Sequence, residues 1–161
     1  TELKDLFTTD DKSSIILSKL NDFDSILSSH CPLANKIINE GFHIPHTNYC
    51  FRWFVFMFSQ EFEMAELQQI WDGLFAHFDD LVNFEFYIGC AKIEIIQDQL
   101  ADKDFAETLE LLQNIQIPDI QQLLNKANDW WKKDHDPSLI NAVAFKVSSA
   151  VKGLFTILTK E

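Results

Sequence analysis

Between Met64 and Phe78 the apolar residues Met64, Leu67, Ile70, Trp71, Leu74, Phe75 and Phe78 advance by steps of three and one, so that pairs such as Leu67 and Trp71 or Trp71 and Phe75 stand four apart. That spacing keeps them on one face of an α-helix and would scatter them over both faces of a strand. The same helical spacing recurs along the chain. Ile16, Leu20, Phe23 and Leu27 make one stripe, and Leu81, Phe84, Ile88, Ala91 and Ile95 another. Phe105, Leu109 and Leu112 follow, then Ile120, Leu123, Leu124 and Ala127, and finally Ile140, Val143, Val147, Val151, Leu154 and Leu158. A period near 3.6 over most of the chain predicts an all-α fold.

The punctuation agrees. Pro32 opens a short helix carrying Leu33 and Ile37, with Gly41 as its stop. His43 to Asn48, with Pro45, reads as a loop. Asp102 is placed to cap the helix of Phe105, with Glu107 in its early turns. Pro118 opens the next helix, and Asp136 with Pro137 starts the last. The run Phe51, Trp53, Phe54, Val55, Phe56, Met57 and Phe58 suits a buried strand as well as a helix. No other segment offers it a strand partner, so it reads as a helix capped by Thr47 or Asn48 and running to about Phe62. A helix apolar on nearly every side belongs at the centre of its domain. The expectation is one compact bundle of about eight helices.

Composition removes several functions. Lys and Arg number 13 against 25 Asp and Glu, a net charge of −12. Such a chain lacks the clustered cations that neutralise nucleic-acid phosphates. With four Gly and four Pro it has no glycine-rich phosphate loop and too few turns for a β-sandwich. Its hydrophobic fraction of 47% supports a packed core. No apolar run approaches the ~20 residues of a membrane span. Cys31, Cys50 and Cys90 form no C-x-x-C pair, and their odd number fits reduced thiols in a cytoplasmic protein. Thr1 is preceded by no Met and followed by no leader pattern, so it is not expected to be where the natural protein begins.

Catalytic and metal chemistry find little support. His43 and His46 are spaced H-x-x-H near Cys31 and Cys50, yet they sit in a Pro-containing loop and not on one helix face. Asp134, His135 and Asp136 are sequence neighbours that do not converge on a point, and Asp136 suits a helix cap. Asp79, Asp80 and Glu85 form an acidic patch near a helix start, where the helix dipole accounts for them. No metal site and no cofactor of the chain's own is expected. Arg52 stands out as the single arginine, inside the most apolar segment. An arginine there requires a partner, and Glu61 or Asp72 could supply it. The reading is a buried structural ion pair; the alternative is an arginine that contacts a partner protein.

Arg52-Trp53, Phe58, Gln60-Glu61-Phe62 and Trp71-Asp72 form an arrangement that resembles the third signature block of the TBC domain, the catalytic domain of Rab GTPase-activating proteins. The stretch reads FRWFVFMFSQEFEMAELQQIWDGLF. Leu111-Leu112-Gln113, Ile120 and Leu123 to Ala127 are similar to the family's closing helices, and Leu20 to Pro45 to the elements before the R-W helix. The resemblance spans Ser13 to Asn128. It implies a C-terminal TBC-like part over residues 1–128, and an extension helix over 129–161 packed on the same domain.

In that family an arginine from I-x-x-D-x-x-R and a glutamine from Y-x-Q act on the phosphoryl-transfer transition state. In this chain Phe51 and Gly89 stand two positions after Tyr49 and Tyr87, so Y-x-Q is absent. Ile95-x-x-Asp98 is followed by Ala101 where the finger would stand. An arginine finger is worth ~10³–10⁵ in rate. The resemblance therefore implies a part of a Rab GTPase-activating protein that buttresses the catalytic half and shapes the Rab groove. Arg52, Trp53, Phe58, Gln60, Glu61, Phe62, Trp71 and Asp72 would then be scaffold residues and none catalytic. The partner would be a GTP-bound Rab carrying its own nucleotide and Mg²⁺, on the cytoplasmic side of vesicle membranes. The alternative is an all-α interaction module whose 15 phenylalanines line a groove for a partner helix, with no role in GTP hydrolysis.

Overall fold

The computed structural model describes residues 12–136, and all regular structure among them is helical. Seven α-helices follow in order: α1 (Lys12–His30), α2 (Pro32–Asn35), α3 (Phe51–Val55), α4 (Met64–Ala76), α5 (Leu81–Ile96), α6 (Phe105–Gln113) and α7 (Ile120–Asp134). A π-helical segment, Lys36–Gly41, continues directly from α2. The helix expected to start at Pro137 lies outside the described residues. The chain divides into two compact units, residues 1–128 and 129–161.

The centre of the first unit is α5, not the segment after Arg52. Thirteen of its sixteen residues are buried. The stripe of Leu81, Phe84, Ile88 and Ala91 is only part of that, because neighbouring elements cover its other faces. Helix α1 runs against it, burying Ile16, Phe23, Ile26 and Leu27. Phe23 of α1, Phe54 of α3 and Phe86 of α5 meet edge to face, with ring centroids 4.8 to 5.9 Å apart. Such pairs add about 1 kcal/mol each to the burial of their area. Gly89 makes this approach possible. A Cβ there would lie 2.8 Å from Phe54 Cζ and 3.3 Å from Phe23 Cε2, so the two rings occupy the space a side chain would need.

The helix expected from Asn48 to Phe62 is much shorter. His46–Asn48 is a 3₁₀ turn, and α3 begins at Phe51 behind Cys50, with no side-chain cap. It ends at Val55. Met57 N–H donates to Phe54 O (3.3 Å) and Phe58 N–H to Trp53 O (2.7 Å), the bond pair of a Schellman cap. The left-handed position of that cap usually holds glycine. Here it holds Met57 (φ 48°), followed by Phe58 (φ 61°). No local residue announced the stop.

Two other boundaries move by a residue or two. Asp104, not Asp102, caps α6. Its carboxylate accepts from Glu107 N–H at 2.9 Å while Glu107 accepts from Asp104 N–H at 3.1 Å, a capping box. Helix α7 begins at Ile120, where Asp119 Oδ1 accepts from Gln122 N–H at 3.0 Å. Pro118 stands just before that cap and not inside the helix.

Candidate functional site

The signature residues converge where α3, the turn after it, α4 and α5 meet. The turn Phe56 to Phe62 is tied down from two sides. Trp71 of α4 donates its indole N–H to Met57 O at 2.9 Å. From α5, Lys92 Nζ reaches Glu61 Oε2 at 3.1 Å. Trp53 and Phe58 are fully buried beneath.

Lys92 is the unexpected member. It is 1% exposed, and its ammonium lies 4.0 Å from the Trp53 ring centroid, 5.3 Å from Phe62 and 5.8 Å from Phe58. A buried cation is costly unless it is paired. Here one carboxylate and three ring faces replace its water. Burial still dominates: it pulls the Lys92 pKa down to about 8, against the upward pull of Glu61. The sequence carried a signal for this residue. Lys92 is a lone cation within an apolar run, the same argument that drew attention to Arg52.

Arg52 departs from its expectation. Its partner is Glu61, Nε to Oε1 at 3.0 Å, and not Asp72. The contact is an ion pair without hydrogen-bond alignment, because Oε1 accepts no hydrogen bond. The Arg52 side chain is 49% exposed, so the buried pair belongs to Lys92 and Glu61. Arg52 Nη2 also donates to Gln113 O at the end of α6, at 3.3 Å, while Gln113 Nε2 donates to Asn48 O at 2.7 Å. The arginine thus lies over the cluster and joins it to α6.

Asp72 turns away from this cluster. With Gln69, Gly73 and His77 it lines one side of a groove of about 330 Å³, which Leu124 and Asn125 of α7 border opposite. Gly73 lets α7 approach, since a Cβ would lie 2.9 Å from Leu124 Cδ2. Gln60 is exposed at the turn.

The remaining candidates separate. Glu85 is no surface acid. It is fully buried on α5 and pairs with Lys12 Nζ at 2.9 Å, and burial raises its pKa to about 7. His46 Nε2 lies 2.8 Å from Asp24 Oδ1, and His43 is exposed. Among the described residues no three His, Cys, Asp or Glu side chains form a metal-ligating group. The three cysteines are buried free thiols, with burial pushing Cys31 up to about 12. No helix among the described residues is long and apolar enough to cross a membrane.

Comparison with known sequences decides the family. The sequence profile of the Rab-GTPase-TBC domain matches residues 1–101, which include the whole cluster. The chain belongs to this family. It is 38% identical over 81 residues to TBC1 domain family member 13 of Homo sapiens, covering 50% of this chain and 20% of that protein. A TBC domain-containing protein of Schizosaccharomyces pombe is 28% identical over 134 residues, 71% of this chain and 22% of that protein. TBC1 domain family member 5 homolog A of Dictyostelium discoideum is 32% identical over 84 residues, 52% of this chain and 7% of that protein. The chain thus spans about a fifth or less of these relatives. No solved structure matches it. The profile match ends before α6, so the likeness of α6 and α7 to the family's closing helices lies beyond it.

Proposed function

We propose that this TBC-family chain is a supporting part of a Rab GTPase-activating domain. It would brace the part that carries the catalytic arginine and glutamine and form one wall of the Rab groove. Residues 1–128 would make up the TBC part, and 129–161, which open on the last turns of α7, an appended extension. The observation that carries this reading is the convergence of Trp53, Phe58, Glu61 and Trp71 on one turn, where each has a packing or hydrogen-bonding task. A signature block built this way is scaffold. Arg52 is engaged within the chain, by Glu61 and by Gln113 O.

The chain itself would therefore not accelerate GTP hydrolysis. Single-turnover hydrolysis by a panel of GTP-loaded Rab proteins, with and without the chain in excess, tests this. The expected rates stay at their intrinsic values. A stimulation of about tenfold or more, against the ~10³–10⁵ of a full finger mechanism, would overturn the scaffold reading. The alternative, an interaction module unconnected with GTP hydrolysis, has the α4–α7 groove in its favour. It predicts that a chain joined to a catalytic TBC half restores no Rab stimulation.

A further inference from the structure

Residues 51–62 hold a conflict between pattern and conformation. No Gly or Pro interrupts this stretch, and its apolar run suits a continuous helix. Yet the backbone leaves the helix after Val55 and passes two side-chain-bearing residues, Met57 and Phe58, through the left-handed region. That conformation is unfavourable for an L residue, because its Cβ crowds the following carbonyl oxygen. It persists only where surrounding contacts over-determine it. Here they come from three directions: the Schellman bonds of α3, the Trp71 indole on Met57 O, and Lys92 on Glu61.

We propose that residues 56–62 are a two-state element, latched in the turn form by Lys92 through Glu61, whose other state continues α3 toward Phe62. The burial of Lys92 makes it an effective latch. The groups that replace its water, Glu61 and the rings of Trp53, Phe58 and Phe62, all belong to α3 or to the turn itself. Straightening the segment would carry Glu61 and Phe62 around a new helix surface. Lys92 would then be left buried without its carboxylate, which disfavours the straight form. Without the charge at position 92 that penalty disappears, while the strain at Met57 and Phe58 remains. The reading does not depend on any Rab contact.

The test is nuclear magnetic resonance on the 161-residue chain and its Lys92→Met variant. In the variant the Trp71 indole N–H should exchange about tenfold faster, reporting opening of its bond to Met57 O. Cα shifts of residues 56–60 should move toward helical values, with the Ile88 amide in α5 exchanging as before. An unchanged Trp71 indole, shifts toward coil, or equal acceleration at Trp71 and Ile88 would overturn the proposal. If Lys92→Met does not fold, Met57→Gly decides. Glycine removes the strain at φ 48° and favours the turn, so Trp71 exchange should slow severalfold. Unchanged or faster exchange in that variant would overturn the latch.

Discussion

Helix α5 carries two buried ion pairs seven residues apart, and they are built in opposite senses. At Lys92 the base is the deeper partner, and its acid, Glu61, is 9% exposed. At Glu85 the acid is the deeper partner, and its base, Lys12, is 15% exposed. In both, burial outweighs the attraction of the partner, so each deep group shifts toward its neutral form: Lys92 down to about 8 and Glu85 up to about 7. They differ in how fully the site replaces water. Three ring faces surround the ammonium of Lys92, whereas Oε2 of Glu85 accepts no hydrogen bond. The two shifts are alike in size, so the starting values decide the outcome at neutral pH: Lys92 comes down from 10.5 and stays mostly ionised, whereas Glu85 comes up from 4.5 and is poised to lose its charge.

The largest test of this contrast removes the shallower partner from each pair. Glu61→Ala takes away the carboxylate that holds the Lys92 pKa up. The ordinary value of a lysine lies further above pH 7 than that of a glutamate lies below it, so the stranded amine is the harder of the two to neutralise and the loss should be about 3–5 kcal/mol of unfolding free energy. Lys12→Ala leaves Glu85 able to take up a proton, so its cost should be smaller, roughly 1–2 kcal/mol. Urea titrations of both variants at pH 7 measure this, and equal losses would erase the distinction.

The pH dependence comes next and has opposite signs at the two sites. Glu85 has a folded pKa near 7 against an ordinary 4.5, so between these values the folded state holds more protons than the unfolded. Its contribution is therefore greatest below about pH 4.5 and falls as pH rises to 7, by roughly 3 kcal/mol in all. Lys92 has a folded pKa near 8 against 10.5, so between these values the unfolded state holds the extra proton. Its contribution to stability rises with pH across that window by a similar amount. Unfolding curves from pH 4.5 to 10 should show a fall in the first window that Glu85→Gln removes. The rise in the second should vanish in Lys92→Met.

A change of volume between the two charges serves as the control. Gly89 lies between them on α5, and Gly89→Ala would press a methyl into the Phe54 and Phe23 rings. It should cost about 1–3 kcal/mol by overpacking. The cost should be the same at pH 5, 7 and 9, because no titrating group is involved. A pH-dependent cost would mean that the ion pairs respond to packing at Gly89 as well as to charge.

Legibility followed the same physics. Helix periodicity was readable because burial of one face is a local pattern: α4 stands within two residues of where its apolar stripe places it, and α7 begins at the first residue of its stripe, Ile120. The capping box of α6 was readable in kind, although Asp104 and not Asp102 makes it. The turn at Met57 was not readable, because a Schellman cap without glycine leaves no mark in sequence. Its stability comes from Trp71 and Lys92, 14 and 31 residues from the groups they hold. Glu85 was misread for a related reason. An acid near a helix start suits a solvated face, and only the packing of α1 against α5 places it in the interior. The signature block was legible as a motif, although Asp72 and Gln60 lie outside the cluster its other residues form. Glu61 was one of two candidate partners for Arg52, between which the structure chooses. The depth of that pairing was not legible.

The smallest expected effect is at Arg52. The sequence made it the candidate buried arginine, for which truncation would cost several kcal/mol. The structure gives it a half-exposed side chain, one poorly aligned pair with Glu61 and one long bond to Gln113 O. Solvent screening reduces such a pair to between 0 and about 1 kcal/mol. Glu61 also keeps Lys92 as its partner when Arg52 is removed, so no buried charge is stranded. Arg52→Ala should therefore lower the unfolding free energy by less than about 1 kcal/mol, and 0.5 M salt should shrink even that. A loss several times larger would show that the three charges act as one network, with Arg52 holding Glu61 in place for Lys92. The double variant Arg52→Ala with Lys92→Met separates the cases. Additive costs keep the buried pair and its surface neighbour distinct; strong coupling merges them into a single element of the fold.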